Sequence, residues 1–345
     1  MDLYCWEIVL SKLDQTGTGI EAICKLFNVE NKLRFAVTRI TIDYQLCEHD
    51  NTILKNIEGC ENLEHIGLLF CHEDLSDYTK HFTKLKSIYL LKSNILNLYK
   101  LNGLKSIILE DCCYPELSIE NKKCLKHLTM MYVEGLHNLV GYCNLTRLDI
   151  MSDIDLDLSR MPKIKDLSVT RCGNISGLNT LRDLRKLRIS NNNMISEIVN
   201  LSKLKSIDLF NCISLRKIGN CQILKEIKLA YCKSCMIDNL PNLEKMTIES
   251  CYDTIRINNC QKLSYICFDW YGETDVQTDV KIKFRKYIHL SLAKIENLSD
   301  VEVLKCEYCY HLKSIENCPN LRKLICDKLV EIKDCPNLND INITK

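Results

Sequence analysis

Apolar residues return along this chain in one short phrase, Leu-x-x-Leu-x-Leu, in which the x positions are mostly polar. It occurs as LEHIGL at Leu63, LKSIYL at Leu85, LKSIIL at Leu104, LKHLTM at Leu125, LTRLDI at Leu145 and IKDLSV at Ile164. It continues as LRKLRI at Leu184, LKSIDL at Leu204, LKEIKL at Leu224, LEKMTI at Leu243 and LSYICF at Leu263. VEVLKC at Val301, LRKLIC at Leu321 and LNDINI at Leu338 close the series. Residues two apart share one face of a strand, and the residue between them faces the other way. Each phrase therefore predicts one short strand with an apolar inner face and a polar outer face. The spacing of roughly 19 to 22 residues puts one such strand in every turn of a repeat array.

The fuller unit is clearest at 204–221, LKSIDLFNCISLRKIGNC, which aligns without a gap with 301–318, VEVLKCEYCYHLKSIENC. Over roughly residues 37–345 the chain resembles the leucine-rich-repeat family. That resemblance implies a right-handed parallel β solenoid, curved like a horseshoe, with a parallel sheet on its concave side. With about 20 residues per turn, little chain is left for convex-side helices, so short extended or 3₁₀ segments are expected there. A lone repeat has nothing to bury its apolar face against, and stability comes from stacking neighbours.

The 22 cysteines find places in this frame. Three residues after the last strand position, where the family places a buried Asn or Cys that satisfies backbone groups in the turn, stand Cys71, Cys112, Cys172, Asn192, Cys212, Cys232, Cys251 and Cys309. Three residues before the next phrase stand Cys60, Cys221, Cys260, Cys318 and Cys335, in a slot held elsewhere by Phe82, Leu101, Met161, Leu181, Leu201, Leu240 and Leu298. Free Cys acts there as a small hydrophobe. The pairs Cys232/Cys235 and Cys306/Cys309 have CxxC spacing, but repeat register accounts for three of the four, so no metal site is expected. The opening MDLYCWEIVLSKLDQ lacks a basic segment followed by an apolar core, and no apolar run reaches membrane-spanning length. An intracellular protein, cytoplasmic or nuclear, with reduced thiols is expected.

Chemistry is hard to find. TGTG at Thr16–Gly19 lacks the Lys-Ser/Thr of a phosphate loop and the spacing of a dinucleotide site. No nucleophile, base and orienting group can be nominated from the scattered histidines, so the expectation is no enzyme, cofactor or metal.

Charge is balanced overall, with a formal net charge of +1. It is not balanced locally. Between Leu125 and Leu229 the x positions of the phrase hold Lys126, Arg147, Lys165, Arg185, Lys186, Arg188, Lys205, Lys225 and Lys228, against Asp149, Asp166, Asp208 and Glu226. These residues should line the concave face. They fit an acidic protein partner steered by a local positive field, or alternatively a solvated sheet that Lys and Arg keep from aggregating. Nucleic acid is disfavoured, because the outward aromatics Tyr89, Tyr265 and Tyr287 lie away from the basic stretch. An irregular repeat around 268–284 carries Trp270 and Tyr271 and is a second candidate contact, since loops held by a rigid scaffold often carry function.

Residues 1–36 depart from the repeat. Leu3, Trp6, Val9, Leu10 and Leu13 recur at helical spacing, and a second apolar set follows the Gly-containing turn. A small α-helical cap over the first edge of the core is one reading. The other is a resemblance to the F-box: EIVLSKLD at Glu7–Asp14 and AICKLFN at Ala22–Asn28 stand where that family has its apolar helix and its Cys-containing phrase, although its usual Pro is absent. The resemblance implies docking to a Skp1-like subunit of a cullin-type ubiquitin ligase, with Trp6, Val9, Leu10, Leu13, Leu26 and Phe27 as candidate contacts. A β-dominated circular dichroism spectrum is expected, and helix content near half would exclude the short convex segments.

Overall fold

The computed structural model describes residues 38–43, 60–72, 81–93, 101, 103–113, 119–134, 139–233, 235–249, 251, 255–260, 262–263, 265–269, 274–278, 288–289, 292–296, 303–307, 313–326 and 328–343. The amino-terminal segment 1–36, with Trp6, Val9, Leu10, Leu13, Leu26 and Phe27, lies outside these residues. So do Trp270, Tyr271, Tyr287 and Cys309.

Each leucine-rich phrase folds as a strand that starts at its third position, and the expected leucine-rich parallel solenoid follows from their pairing. The chain divides into two compact units, Met1–Ser152 and Asp153–Lys345. In the first, β1 (Arg39–Asp43), β2 (His65–Leu69), β3 (Ser87–Leu91), β4 (Ser106–Glu110), β5 (His127–Met131) and β6 (Arg147–Met151) each pair in parallel with the next. One short helix, α1 (Ile119–Cys124), precedes β5.

The second unit begins with β7 (Leu156–Asp157), β8 (Asp166–Thr170), β9 (Ile175–Ser176), β10 (Lys186–Ser190), β11 (Glu197–Val199), β12 (Ser206–Phe210), β13 (Lys217–Gly219) and β14 (Glu226–Ala230). It continues with β15 (Cys235–Asp238), β16 (Lys245–Glu249), β17 (Ile255–Asn258), β18 (Tyr265–Asp269), β19 (Thr274–Thr278), β20 (Ile288–His289), β21 (Leu292–Glu296) and β22 (Val303–Glu307). The last strands are β23 (Ser314–Glu316), β24 (Lys323–Cys326), β25 (Glu331–Lys333) and β26 (Asp340–Ile343). The phrase strands β8, β10, β12, β14, β16 and β18 form a principal parallel sheet, and β20, β22, β24 and β26 form another.

Between the phrase strands register is one-to-one, so like positions stack in columns. Leu167, Leu187, Ile207, Ile227 and Met246 are partners in sequence across the second unit's sheet, as are Val169, Ile189, Leu209, Leu229 and Ile248. All ten are buried. Complete burial of such side chains stabilises by roughly 1.5–3 kcal/mol each, which explains why the apolar pattern alone specifies the stack.

The slot three residues past the phrase satisfies the turn wherever Asn, Ser or a donating Cys fills it; Val133 and Leu329 are apolar exceptions. Asn192, 1% exposed, donates from Nδ2 to the carbonyls of Cys172 and Gly173 at 2.8 and 2.9 Å. Its Oδ1 accepts from the amides of Met194 and Ile195 at 3.0 and 2.9 Å. Cys112 donates to the carbonyls of Leu90 and Glu110, and Cys212 to those of Ile189 and Phe210. Ser93 also belongs to this ladder: its hydroxyl accepts from the Cys71 amide at 2.9 Å and lies within hydrogen-bonding reach of the Leu68 carbonyl. The residue type differs, but the offset from Leu90 is the same. The ladder is interrupted at Asp153, which is exposed, and the two units divide there.

The side of the second unit's coils opposite the phrase carries the short extended and 3₁₀ segments expected there, and the extended ones pair further than the sequence indicated. The second unit carries two 3₁₀ turns, Leu158–Arg160 and Leu178–Thr180, but the later extended segments pair into an eight-stranded parallel sheet, β11-β13-β15-β17-β19-β21-β23-β25. Of the irregular segment 268–284, residues 274–278 join that sheet as β19. The cause is the phrase Ile-x-Asn/Asp followed by Leu or Cys. Ile198, Ile218, Ile237, Ile257 and Ile315 are buried, and Asn200, Asn220, Asn239, Asn259, Asn317 and Asp334 end the strands with φ between 51° and 62°. Asn and Asp tolerate this left-handed conformation better than other L-residues. Asn239 donates to the side-chain oxygen of Asn220 at 2.8 Å, so the turn column is itself hydrogen-bonded. Gly177 is required for a different reason: at φ 72° an added Cβ would lie 2.5 Å from the Ser159 amide nitrogen on the previous coil.

Asn192→Ala removes both halves of this bonding and leaves two amides and two carbonyls without their partner. The expected loss is about 3 kcal/mol or more, against about 1 kcal/mol for Cys212→Ala, whose thiol makes only weak hydrogen bonds. Urea unfolding followed by circular dichroism reads the difference.

Candidate functional site

The polar side chains of the phrase, on the strands and at the residue just before each strand, form the candidate site, and the two units contribute to it separately. Lys126 and Arg147 stand on the first unit; Lys165, Arg185, Lys186, Arg188, Lys205, Lys225 and Lys228 stand on the second. Lys126 is half-buried and the other eight are exposed.

In the first unit the second position of the phrase makes a column. The amide of Lys86 donates to the carbonyl of Glu64, Lys105 to Lys86, Lys126 to Lys105 and Thr146 to Lys126, each at 2.7 or 2.8 Å. Lys86 and Lys105 thus extend the row in which the sequence reading singled out Lys126. Their signal is the repeated LKS phrase at Leu85 and Leu104, amino-terminal to the basic stretch. Lys86 pairs with Glu64, which holds that carboxyl below its usual range through the hydrogen bond between them. Arg147 is engaged by Asp149 on its own strand at 2.7 Å.

In the second unit the same column runs Lys165, Arg185, Lys205, Lys225, Glu244, each amide bonded to the carbonyl of the preceding member at 2.7–2.9 Å. Four cations are therefore stacked on successive coils about 4.8 Å apart. Lys225 pairs with Glu244 at 3.0 Å, Arg188 with Asp208 at 3.2 Å and Lys245 with Glu226 at 3.3 Å. Among the described residues, Lys165, Arg185, Lys186, Lys205 and Lys228 make no ion pair within 4.0 Å. Lys165 and Arg185 do lie near enough to Asp183 to help lower its carboxyl, after the larger effect of its hydrogen bond with Lys203. The nine candidates therefore do not act alike: Arg147, Arg188 and Lys225 are partly neutralised, and the open positive charge concentrates on the other second-unit residues.

At the opposite end of the same strands is a feature the sequence reading missed. Phe210 and Tyr231 are 42% and 37% exposed, with ring centroids 5.1 Å apart and planes inclined at 60°. Phe210 is the last residue of β12 and partners Ala230, whose small side chain leaves the ring uncovered. Tyr231 follows β14 with φ 53°, in the left-handed column that Asn191 and Asn211 occupy on the two preceding coils. A bulky side chain there costs about 1–2 kcal/mol relative to an ordinary backbone. The equivalent position of other repeats holds Phe70, Lys92, Asp111, Tyr132 and Arg171, so Tyr231 carries no sequence signal by itself.

The cysteine pair Cys232/Cys235 divides between two structural tasks. Cys232 occupies the ladder and donates to the Ala230 carbonyl, while Cys235 starts β15 with its side chain buried. Burial pushes the Cys235 thiol up to about 12. Cys212 and Cys251, hydrogen-bonded to Cys232 from adjacent coils and buried, are also pushed well up. Among the described residues no group of three or more His, Cys, Asp or Glu side chains is placed to hold a metal ion. Nor is any described helix long and apolar enough to cross a membrane.

No protein-family profile matches the sequence. An Arabidopsis thaliana protein described as a "putative disease resistance protein" is 27% identical over 291 residues, an alignment covering 70% of this chain. The chain spans only 23% of that relative's length. Among solved structures, an internalin of Listeria monocytogenes is similar at 15% identity and a TM-score of 0.46, covering 95% of this chain and 94% of its own. A leucine-rich-repeat protein of Leptospira interrogans is similar at 14% identity and a TM-score of 0.47, covering 90% and 97% respectively.

Thiol reactivity tests the placement of the cysteines. Alkylation of the native protein at pH 8, mapped by mass spectrometry, should modify the exposed Cys113 and Cys143 quickly and leave Cys212, Cys232, Cys235 and Cys251 unmodified until denaturant is added. Rapid native labelling of Cys235 would contradict its burial.

Proposed function

We propose that this chain is a binding scaffold whose outward sheet face recognises another protein, one with an acidic surface. The observation that carries this reading is the second unit's row of stacked cations, in which Lys165, Arg185 and Lys205 have no ion-pair partner among the described residues. A row of like charge held in register on a parallel sheet produces a local positive field without any net charge on the chain. Such a field accelerates encounter with an acidic partner and disfavours basic ones. The reading places the protein in a reducing intracellular compartment; its support is the ladder cysteines, whose thiols bond to backbone carbonyls, a role that disulfide formation would remove.

A more specific role is supported by the phrases EIVLSKLD and AICKLFN in residues 1–36. On this reading the chain is the target-recognition adaptor of a cullin-type ubiquitin ligase, with the amino-terminal segment docking a Skp1-like subunit and the repeats selecting the target. Trp6, Val9, Leu10, Leu13, Leu26 and Phe27 are the proposed docking residues. The irregular segment, through Trp270 and Tyr271, is a proposed secondary contact.

Reversal of charge in Arg185→Glu, Lys186→Glu and Arg188→Glu together should weaken capture of a partner found by proximity labelling. The loss should be about tenfold at low ionic strength and shrink as salt screens the field. Unchanged capture would return these side chains to a solvating role. The adaptor role predicts that the full chain retains Skp1 and cullin in affinity capture and that a folded chain lacking residues 1–36 does not. Failure of the full chain to retain Skp1 removes that role and leaves the scaffold.

A further inference from the structure

We propose that the outward face of the second unit's principal sheet takes an amphipathic α-helix of its partner, laid along the stacking direction. The helix sets an acidic stripe against Lys165, Arg185, Lys205 and Lys225 and an apolar stripe against Phe210 and Tyr231. This rests on the protein-binding reading above and specifies the form of the ligand.

The argument is one of spacing. The four cations stand on successive coils, at about 4.8, 9.6 and 14.4 Å from the first. A helix rises about 1.5 Å per residue, so acidic residues at i, i+3, i+7 and i+10 lie at about 4.5, 10.5 and 15 Å and stay in step with the row. An extended segment running the same way presents same-face side chains about every 6.6 Å and is out of step after one coil. The backbone amides and carbonyls in this row are bonded to neighbouring coils, so recognition falls to side chains, as it does for a helix.

The width of the face agrees. From Lys205, the residue before β12, to Phe210 at its end is five residues, about 16 Å at strand rise. A helix with its side chains is about 10–12 Å across, and the long Lys and Arg side chains span the remainder. A partner lying there meets cations along one margin and the exposed aromatic pair along the other. Between them the face is polar: Ser206 and the Arg188–Asp208 pair lie on the sheet, so the apolar contact is confined to one flank. The tilted packing of Phe210 and Tyr231 offers one corner for an apolar side chain and no run of parallel faces for successive bases to stack on.

Selection from a phage library of random peptides, carried on a helix-favouring scaffold and panned on the full chain, tests this. The expected outcome is enrichment of acidic residues at i, i+3, i+7 and i+10 with apolar residues on one adjacent flank. Binding of the enriched peptides should fall at least about tenfold in Arg185→Glu/Lys205→Glu and again in Phe210→Ala/Tyr231→Ala. Both pairs are exposed, and an unchanged circular dichroism melt confirms that the variants are folded; Arg185→Gln/Lys205→Gln provides a milder second variant with the same expected direction. Four results overturn the proposal: no enrichment, enriched peptides without that acidic spacing, binding indifferent to Phe210→Ala/Tyr231→Ala, or equal binding of a twelve-nucleotide oligothymidine at the same residues. If the helix fails in this way while charge reversal still weakens capture of the cellular partner, the scaffold stands and only the form of its ligand is wrong.

Discussion

Backbone hydrogen bonds in this protein point from coil to coil, and the rest of the structure depends on that direction. The amide of Lys205 bonds to Arg185, and that of Lys225 to Lys205, so a coil alone leaves its main-chain groups unpaired. Stacking satisfies them and sets a spacing of about 4.8 Å that no side chain can alter. Every position of the repeat then meets its own counterpart on the next coil. Apolar positions become apolar columns, ladder residues become a ladder, and surface charges become rows.

Rows of charge carry a cost that can be bounded. Two cations about 5 Å apart in water repel by roughly 1 kcal/mol, less once flexible side chains splay apart. The stack tolerates that, and Glu244, Asp208 and Glu226 offset part of it on the second unit. The fold therefore does not demand a partner for Lys165, Arg185 and Lys205. Association with an acidic surface instead adds favourable interactions that the isolated chain lacks, the condition under which a charged row contributes to recognition and not to stability.

The turns show the same economy with a different residue. Each coil must reverse direction within a few residues, and it does so through left-handed backbone positions. Among the described residues Asn or Asp fills nine of the fourteen that are not glycine, and side chains such as Asn239 and Asn220 bond to one another across coils. Tyr231 occupies the same position at a conformational cost, with its ring against Phe210. A fold built on repetition thus makes an exception informative: Asp153, exposed in a ladder slot, falls where the two units divide.

Sequence by itself determined the strands and the buried columns, because alternation along Leu-x-x-Leu-x-Leu is a local property and stacking multiplies it. It also assigned the ladder cysteines and identified the basic positions, since register alone places them. It did not identify Ser93 in the ladder, where offset and not residue type is the signal. The second sheet was hidden because Ile-x-Asn is short and reads as a turn until neighbouring coils bring its copies into hydrogen-bonding distance. Phe210 and Tyr231 are twenty-one residues apart in the chain, and only the stacking of β12 against β14 brings their rings together. Which cations are neutralised was likewise decided by tertiary structure: the pairs Arg188–Asp208 and Lys225–Glu244 join different coils, and charge pairing depends on distances that a linear pattern does not contain.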